Sequence, residues 1–192
     1  MTRIGVVAFQ GDVSEHVSAA EQIFGKGAVS EIRSAEDVST CQGLILPGGE
    51  STTIGRLLAQ RGVAAAIVEA VGRGVPLLAT CAGLVLVSRG VDQGDVVPLG
   101  LMDITVNRNA FGSQRESFEA CLEVKGFDRP YRAVFIRAPV IDRCGPCVEV
   151  LAMFEGRTVA AREGPVLALA FHPELTEDLR FHRLFREMVE AI

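Results

Sequence analysis

The chain has 192 residues, with 19 Lys+Arg against 24 Asp+Glu for a formal net charge of −5, and 48% of its residues are hydrophobic. That apolar share excludes intrinsic disorder, and the length suits one domain, 1–192, with a real core. The acidic balance leaves no electrostatic footprint for nucleic acid or for an anionic membrane surface.

A mean hydropathy of +0.30 raises the question of a membrane. The longest nearly apolar stretch, 75–87, is interrupted by Thr80, Cys81 and Gly83 and is far shorter than the ~20 residues a spanning helix needs. The first residues turn polar at Gln10-Gly-Asp12, too soon for a signal peptide. A cytoplasmic protein is expected. The five cysteines (Cys41, Cys81, Cys121, Cys144 and Cys147) are an odd number, which argues against a disulfide framework and makes individual thiol chemistry the question.

The pattern predicts a buried strand over 3–9, a helix over 14–24 with Ser14 as N-cap, and a strand over 28–32. A third strand over 43–46 ends at Pro47-Gly48-Gly49, followed by helices over 52–60 and 63–73. A fourth strand over 75–79 runs into a helix that starts at Ala82. The second half is richer in strands, expected over 101–106, 119–124, 132–136, 148–154, 157–162 and 166–170. A last helix over 177–191 places Phe181, Leu184, Phe185 and Met188 on one stripe. Alternation of strand and helix predicts an α/β fold, with a mostly parallel central sheet covered by helices on both faces. Ligands of such sheets collect beyond the carboxyl ends of the strands, so the loops after Phe9, Leu46 and Ala79 are the first places to look.

Cys81 stands at a tight strand-to-helix junction with Ala79, Ala82 and Gly83 as small neighbours. A nucleophile on a strained turn needs such neighbours, and the Ala82 N–H would face a developing oxyanion. A small buried core cysteine fits the same local sequence. A thiol nucleophile needs a base, and the chain offers His16, His172 and His182. His182, beside Arg183 and Arg186, reads as a surface residue, whereas His16 early in the first helix is ambiguous. His172 follows a strand, with Pro173 stiffening the turn and Glu174 placed to orient the imidazole. Its other reading is a strand-end residue that caps the following helix. Pro47-Gly48-Gly49-Glu50-Ser51-Thr52 presents backbone N–H groups to an anion or carbonyl, but it lacks the Gly-Lys-Ser/Thr ending of a phosphate loop.

Taken together these segments resemble a class I, triad-type glutamine amidotransferase domain of flavodoxin-like fold. More narrowly, the chain resembles the glutaminase subunits of pyridoxal 5′-phosphate synthase. The likeness is carried by Phe9-Gln-Gly-Asp-Val-Ser-Glu-His16, Leu46-Pro-Gly-Gly-Glu-Ser-Thr-Thr53, Thr80-Cys-Ala-Gly-Leu84, Asn107-Arg-Asn-Ala-Phe-Gly-Ser-Gln114, Phe135-Ile-Arg-Ala-Pro139 and Phe171-His-Pro-Glu-Leu-Thr176. It implies Cys81 as nucleophile, His172 as base and Glu174 as the orienting partner. It implies Gly49, Glu50, Ser51, Arg108, Ile136 and Arg137 as glutamine contacts, with Gln10, Gly48 and Ala82 at the oxyanion site or partner interface. The implied reaction converts L-glutamine to L-glutamate and ammonia without metal or cofactor. Its ammonia would pass to a separate synthase subunit, and no nucleic acid or membrane partner is implied.

Two departures accompany the resemblance. Ala79 stands where the broad class has glycine two residues before its nucleophile. Cys144-Gly-Pro-Cys147 copies a thioredoxin tetrapeptide, but the residues after it read as strand, not the helix a redox thiolate needs. A Gly-Pro turn carrying two incidental cysteines is the expectation there, with a thiol oxidoreductase as the rival and a silent scaffold of the same fold as a third reading. Cys41 and Cys121 are expected to serve packing.

Overall fold

The computed structural model describes residues 2–92, 94–108 and 117–192. In chain order the elements are β1 (Ile4–Val7), α1 (Val13–Phe24), β2 (Val29–Ile32), α2 (Ala35–Ser39), β3 (Gly43–Leu46), α3 (Ser51–Gln60), α4 (Val63–Gly72), β4 (Leu77–Thr80), α5 (Ala82–Val87) and β5 (Ser88–Val91). They continue as β6 (Met102–Asn107), β7 (Ser117–Leu122), β8 (Tyr131–Ile136), β9 (Val140–Cys144), β10 (Glu149–Phe154), β11 (Arg157–Glu163), β12 (Val166–Leu169), a 3-10 turn (Pro173–Leu175) and α6 (Arg180–Glu190).

Among the described residues, a ten-stranded sheet runs β2-β1-β3-β4-β12-β11-β9-β6-β5, with β10 paired to β11 off this path. β7 and β8 form a separate hairpin. The first five strands of the sheet pair in parallel. β1, β3, β4 and β12 are buried at every position. Successive side chains on a strand point to opposite faces, so full burial means that both faces are covered. That is why Ile-Gly-Val-Val, Gly-Leu-Ile-Leu, Leu-Leu-Ala-Thr and Val-Leu-Ala-Leu are apolar runs without alternation. α1 packs against α6, while α3 packs against both α4 and α5. The expected architecture is present, including the strand-rich second half.

Register sets the site. Leu46, Ala79 and Ala168 lie level across β3, β4 and β12. The chain therefore leaves three neighbouring strands at one edge, and the loop after β1 joins them. The backbone N–H of Cys81 donates to the Leu169 carbonyl at 2.8 Å, and that of His172 donates to Val134 at 2.9 Å. Phe171, just before His172, is fully buried among Tyr131, Phe135 and Phe181, with ring centroids 5.3 to 5.8 Å from its own. This aromatic packing holds the end of β12 against the hairpin and α6.

The structure differs from the sequence reading in several places. α1 begins at Val13 with Asp12, not Ser14, at its N-cap, and the Asp12 carboxylate makes no capping bond. α2, β5 and β9 were not expected. α2 is short, but Ser34 and Asp37 form a complete capping box at its start. Cys121 is exposed, not packed, because it shares the outer face of β7 with Ser117 and Glu119. Cys41 is buried. Cys144 ends β9, the Val148 N–H closes a turn onto the Gly145 carbonyl, and β10 comes next with no helix there.

The largest correction concerns His182, which is fully buried. It falls on the α6 stripe of Phe185 and Val189, at the spacing of a helix's inward face. Burial alone pushes its pKa down to about 4 from an ordinary value of 6.5. The unfolded chain thus binds more protons at this residue between those values, and its contribution to stability falls as pH drops through that window. A His182→Leu variant should lose less stability between pH 6.5 and pH 4 than the wild type, by up to about 3 kcal/mol, in denaturant titrations at the two pH values. Parallel pH dependence in the two proteins would contradict it.

Candidate active site

Cys81 sits between β4 and α5 at φ 48°, ψ −103°, a left-handed conformation that costs a non-glycine residue strain. Of the small residues expected around it, Gly83 has a direct role. A Cβ on Gly83 would stand 2.2 Å from the Leu46 carbonyl oxygen, so glycine alone lets α5 lie this close to β3. The strained turn projects the sulfur towards the Ile136 carbonyl, 3.7 Å away at the end of β8. The next residue, Arg137, also has positive φ, 42°, so two unusual backbone positions bracket the thiol.

His172 faces the same space. Its Nδ1 lies 2.7 Å from Glu174 Oε1 and 3.2 Å from Asp12 Oδ2. Burial works against the charged imidazolium. The contacts with Asp12, Cys81 and Glu174 outweigh it and push the His172 pKa up to about 12. Glu174 is raised above the usual carboxylate range by its burial, against the pull of His172. Asp12, more open to solvent, is held below its usual value, chiefly by its bond to His172. With Nδ1 facing carboxylates, the ring presents Nε2 as its other working atom, and Nε2 is buried without a hydrogen bond among the described residues. The ligand atoms of Asp12, His172 and Glu174 lie within 4.8 Å of one another, a spacing that could gather a cation. The 2.7 Å contact is a hydrogen bond through the Nδ1 proton, which makes the trio a hydrogen-bonded set.

The loop after β3 forms the opposite wall. Gly49 has φ +146°, and a Cβ there would meet Gln10 Oε1 at 2.6 Å. That same Gln10 oxygen accepts the Glu50 N–H at 2.7 Å. A Cβ on Gly48 would stand 2.6 Å from His172 Cε1, so this glycine is needed for the imidazole to fit. Glu50 caps α3 by accepting from the N–H groups of Thr52 and Thr53 and pairs with Arg108 at 3.3 Å. Burial raises its carboxyl, but the hydroxyl and N–H donors of Thr52 and Thr53 overcome that and hold it at about 2.

One cavity of about 380 Å³ joins these groups. Cys81, Ala82, His172, Gln10, Gly49, Glu50, Ser51, Arg108, Ile136 and Arg137 all line it. Of the expected residues, Glu174 stands behind His172 and Gly48 packs against the ring. The stretch 109–116, with most of the Asn107–114 motif, lies outside the described residues. Sequence reasoning missed Asp12, Thr80 and the place of His16. Asp12 and His16 are four apart, one helical turn, so both face the site once α1 is laid across it. The arrangement combines a thiol on a strained turn, an imidazole backed by carboxylates, and a polar wall with both charge signs. It can carry out acyl transfer on a small zwitterionic substrate.

The fold and its neighbours define the class first. A solved structure described as "Crystal structure of glutamine amidotransferase" superposes with a TM-score of 0.91 at 43% identity, covering 97% of this chain and 98% of that one. PurLQS from Thermotoga maritima shares the fold alone, at TM-score 0.66 and 18% identity, over 99% of this chain and 98% of the matched one. The chain belongs to the SNO glutamine amidotransferase family, whose model matches residues 6–191. It is 63% identical to "Pyridoxal 5′-phosphate synthase subunit PdxT" of Methanothrix thermoacetophila, over 97% of this chain and 100% of that protein. It is 53% identical to the protein of the same name from Methanosarcina mazei, over 97% and 98% respectively.

A Gly83→Ala substitution would force α5 away from β3 and spoil the Cys81 turn. The expected result is a loss of about 1–3 kcal/mol in denaturant unfolding, together with slower alkylation of Cys81 by iodoacetamide, monitored by peptide mass spectrometry. Wild-type stability and labelling would show that the close approach is dispensable.

Proposed function

We propose that this chain is the glutaminase subunit of a pyridoxal 5′-phosphate synthase, hydrolysing L-glutamine to L-glutamate and ammonia. The observation that carries the reading is that Cys81 and a Glu174-backed His172 open on one cavity, opposite the Glu50–Arg108 pair. The near-full-length likeness to proteins named as PdxT supports the same reading and its partner.

In this mechanism the Cys81 proton rests on His172 Nε2, as the raised His172 pKa favours, and the thiolate attacks the γ-carbonyl of glutamine. The N–H groups of Ala82 and the Gly48–Gly49 loop hold the tetrahedral oxyanion. Collapse of that intermediate breaks the C–N bond, His172 returns the proton to the leaving nitrogen, and ammonia departs from a γ-glutamyl thioester. His172 then deprotonates a water, which displaces Cys81 and frees glutamate. Glu174 holds the imidazole in the tautomer this needs, as the third member of a triad. Arg108 and Arg137 suit the substrate carboxylate, and Glu50 suits its ammonium. Ser51 and the Ile136 carbonyl complete the polar wall. Thiolate and N–H donors suffice for acyl transfer, so the reaction calls for neither metal nor cofactor.

Ammonia is volatile and unspecific, which makes a dedicated acceptor necessary. We assign that role to a separate synthase subunit in the cytoplasm, whose docking would rearrange Gln10 and free the Glu50 N–H it now holds. No helix of the described residues is long and apolar enough to cross a membrane.

The test is ammonia release from glutamine by the chain mixed with its cognate synthase. Cys81→Ala should lower it at least about 1,000-fold, and Glu174→Gln by about 100-fold or more, with complex formation unchanged in size-exclusion chromatography. A Cys81→Ala complex as active as wild type would rule out the thioester mechanism.

A further inference from the structure

Behind the proposed triad lies a polar group that the mechanism does not use. His16, on α1, is fully buried. Its Nε2 stands 2.9 Å from the Thr80 hydroxyl oxygen and 3.3 Å from Glu174 Oε2. Thr80 is the residue before Cys81, and Glu174 is the partner of His172. Glu174 Oε2 is itself buried and makes no hydrogen bond among the described residues. One ring nitrogen thus lies between the support of the thiol and the support of the base.

The charge of the surroundings sets the tautomer. A lone pair at Nε2 would face the Glu174 carboxylate and repel it, and it would leave the proton on Nδ1. His16 Nδ1 is buried without a partner among the described residues, where an unmet N–H costs more than an unmet lone pair. Nε2 therefore carries the hydrogen. It donates to Thr80 Oγ1 and turns the positive end of its N–H dipole towards Glu174. The titratable groups facing His16 are Glu174, His172 and His182, the last with ring centroids 6.1 Å apart. Burial and the two other imidazoles hold His16 well below its ordinary pKa, so it acts as a neutral donor.

We infer that His16 is a positioning residue for the proposed reaction, its Nε2–H bonded to Thr80 and its dipole facing the outer oxygen of Glu174, so that nucleophile and base are steadied from one ring. This rests on the glutaminase reading above. His16 touches no substrate. Glu174 is bonded to His172 through Oε1 alone, and without the His16 N–H no positive dipole would face its outer oxygen. The carboxylate would then be free to swing, and Thr80 would lose the contact that steadies the start of the strained Cys81 turn.

The test compares three variants in complex with the cognate synthase, measuring kcat and KM for glutamine and the melting temperature of each chain. His16→Gln places an amide N–H near the Nε2 position, His16→Asn is one methylene too short to reach it, and His16→Phe keeps the ring but has no donor. The expected result is a kcat lower by about tenfold or more for Asn and Phe, with KM within about twofold. His16→Gln should recover to within about threefold of wild type. If His16→Phe fails to fold, the Gln and Asn pair decides, because both are polar and differ only in reach. Equal activity of Gln and Asn, whether both high or both low, overturns the inference. A wild-type complex that releases no ammonia would instead reject the glutaminase reading.

Discussion

Four parallel strands buried on both faces constrain everything else in this protein. Because β1, β3, β4 and β12 have no solvated face, they can carry polar chemistry only where the chain leaves them. Their shared direction puts all of those exits at one edge, and the level register of Leu46, Ala79 and Ala168 brings the exits within reach of one another. The apolar excess of the composition and the location of the cavity are thus two results of the same packing.

Charge at that edge is managed by pairing. A buried carboxylate or imidazolium alone is expensive, and each stabilises the other here. His172 is pushed up by Asp12, Cys81 and Glu174, while His182, buried with no such partner among the described residues, is pushed down. Two histidines of similar burial therefore depart from the ordinary value in opposite directions, and the difference lies in which groups face them. The same contrast leaves one imidazole charged and the other neutral near pH 7.

What could be read from the sequence depends on how local each signal is. The Cys81 junction and the His172-Pro-Glu174 turn are written in consecutive residues, so both were legible, as was the alternation of strand and helix that gives the sheet. Asp12 was harder to see because Asp before a helix ordinarily signals a cap, and here its carboxylate goes to a residue far along the chain. Thr80 and His16 meet only through the tertiary crossing of α1 behind β4, which no spacing encodes. His182 was misread although the pattern held the answer. Its arginine neighbours suggested a wet face, but its spacing to Phe185 and Val189 marks the inner one.

The segment from Gln10 to His16 touches three separate parts of the site within seven residues: the Glu50 amide, the His172 ring, and the Thr80–Glu174 pair. These contacts are borne on one short stretch of chain, the start of α1 and the turn before it. A tilt or slide of that stretch alters all of them together. Three parts of the site are therefore coupled mechanically through one short stretch of chain.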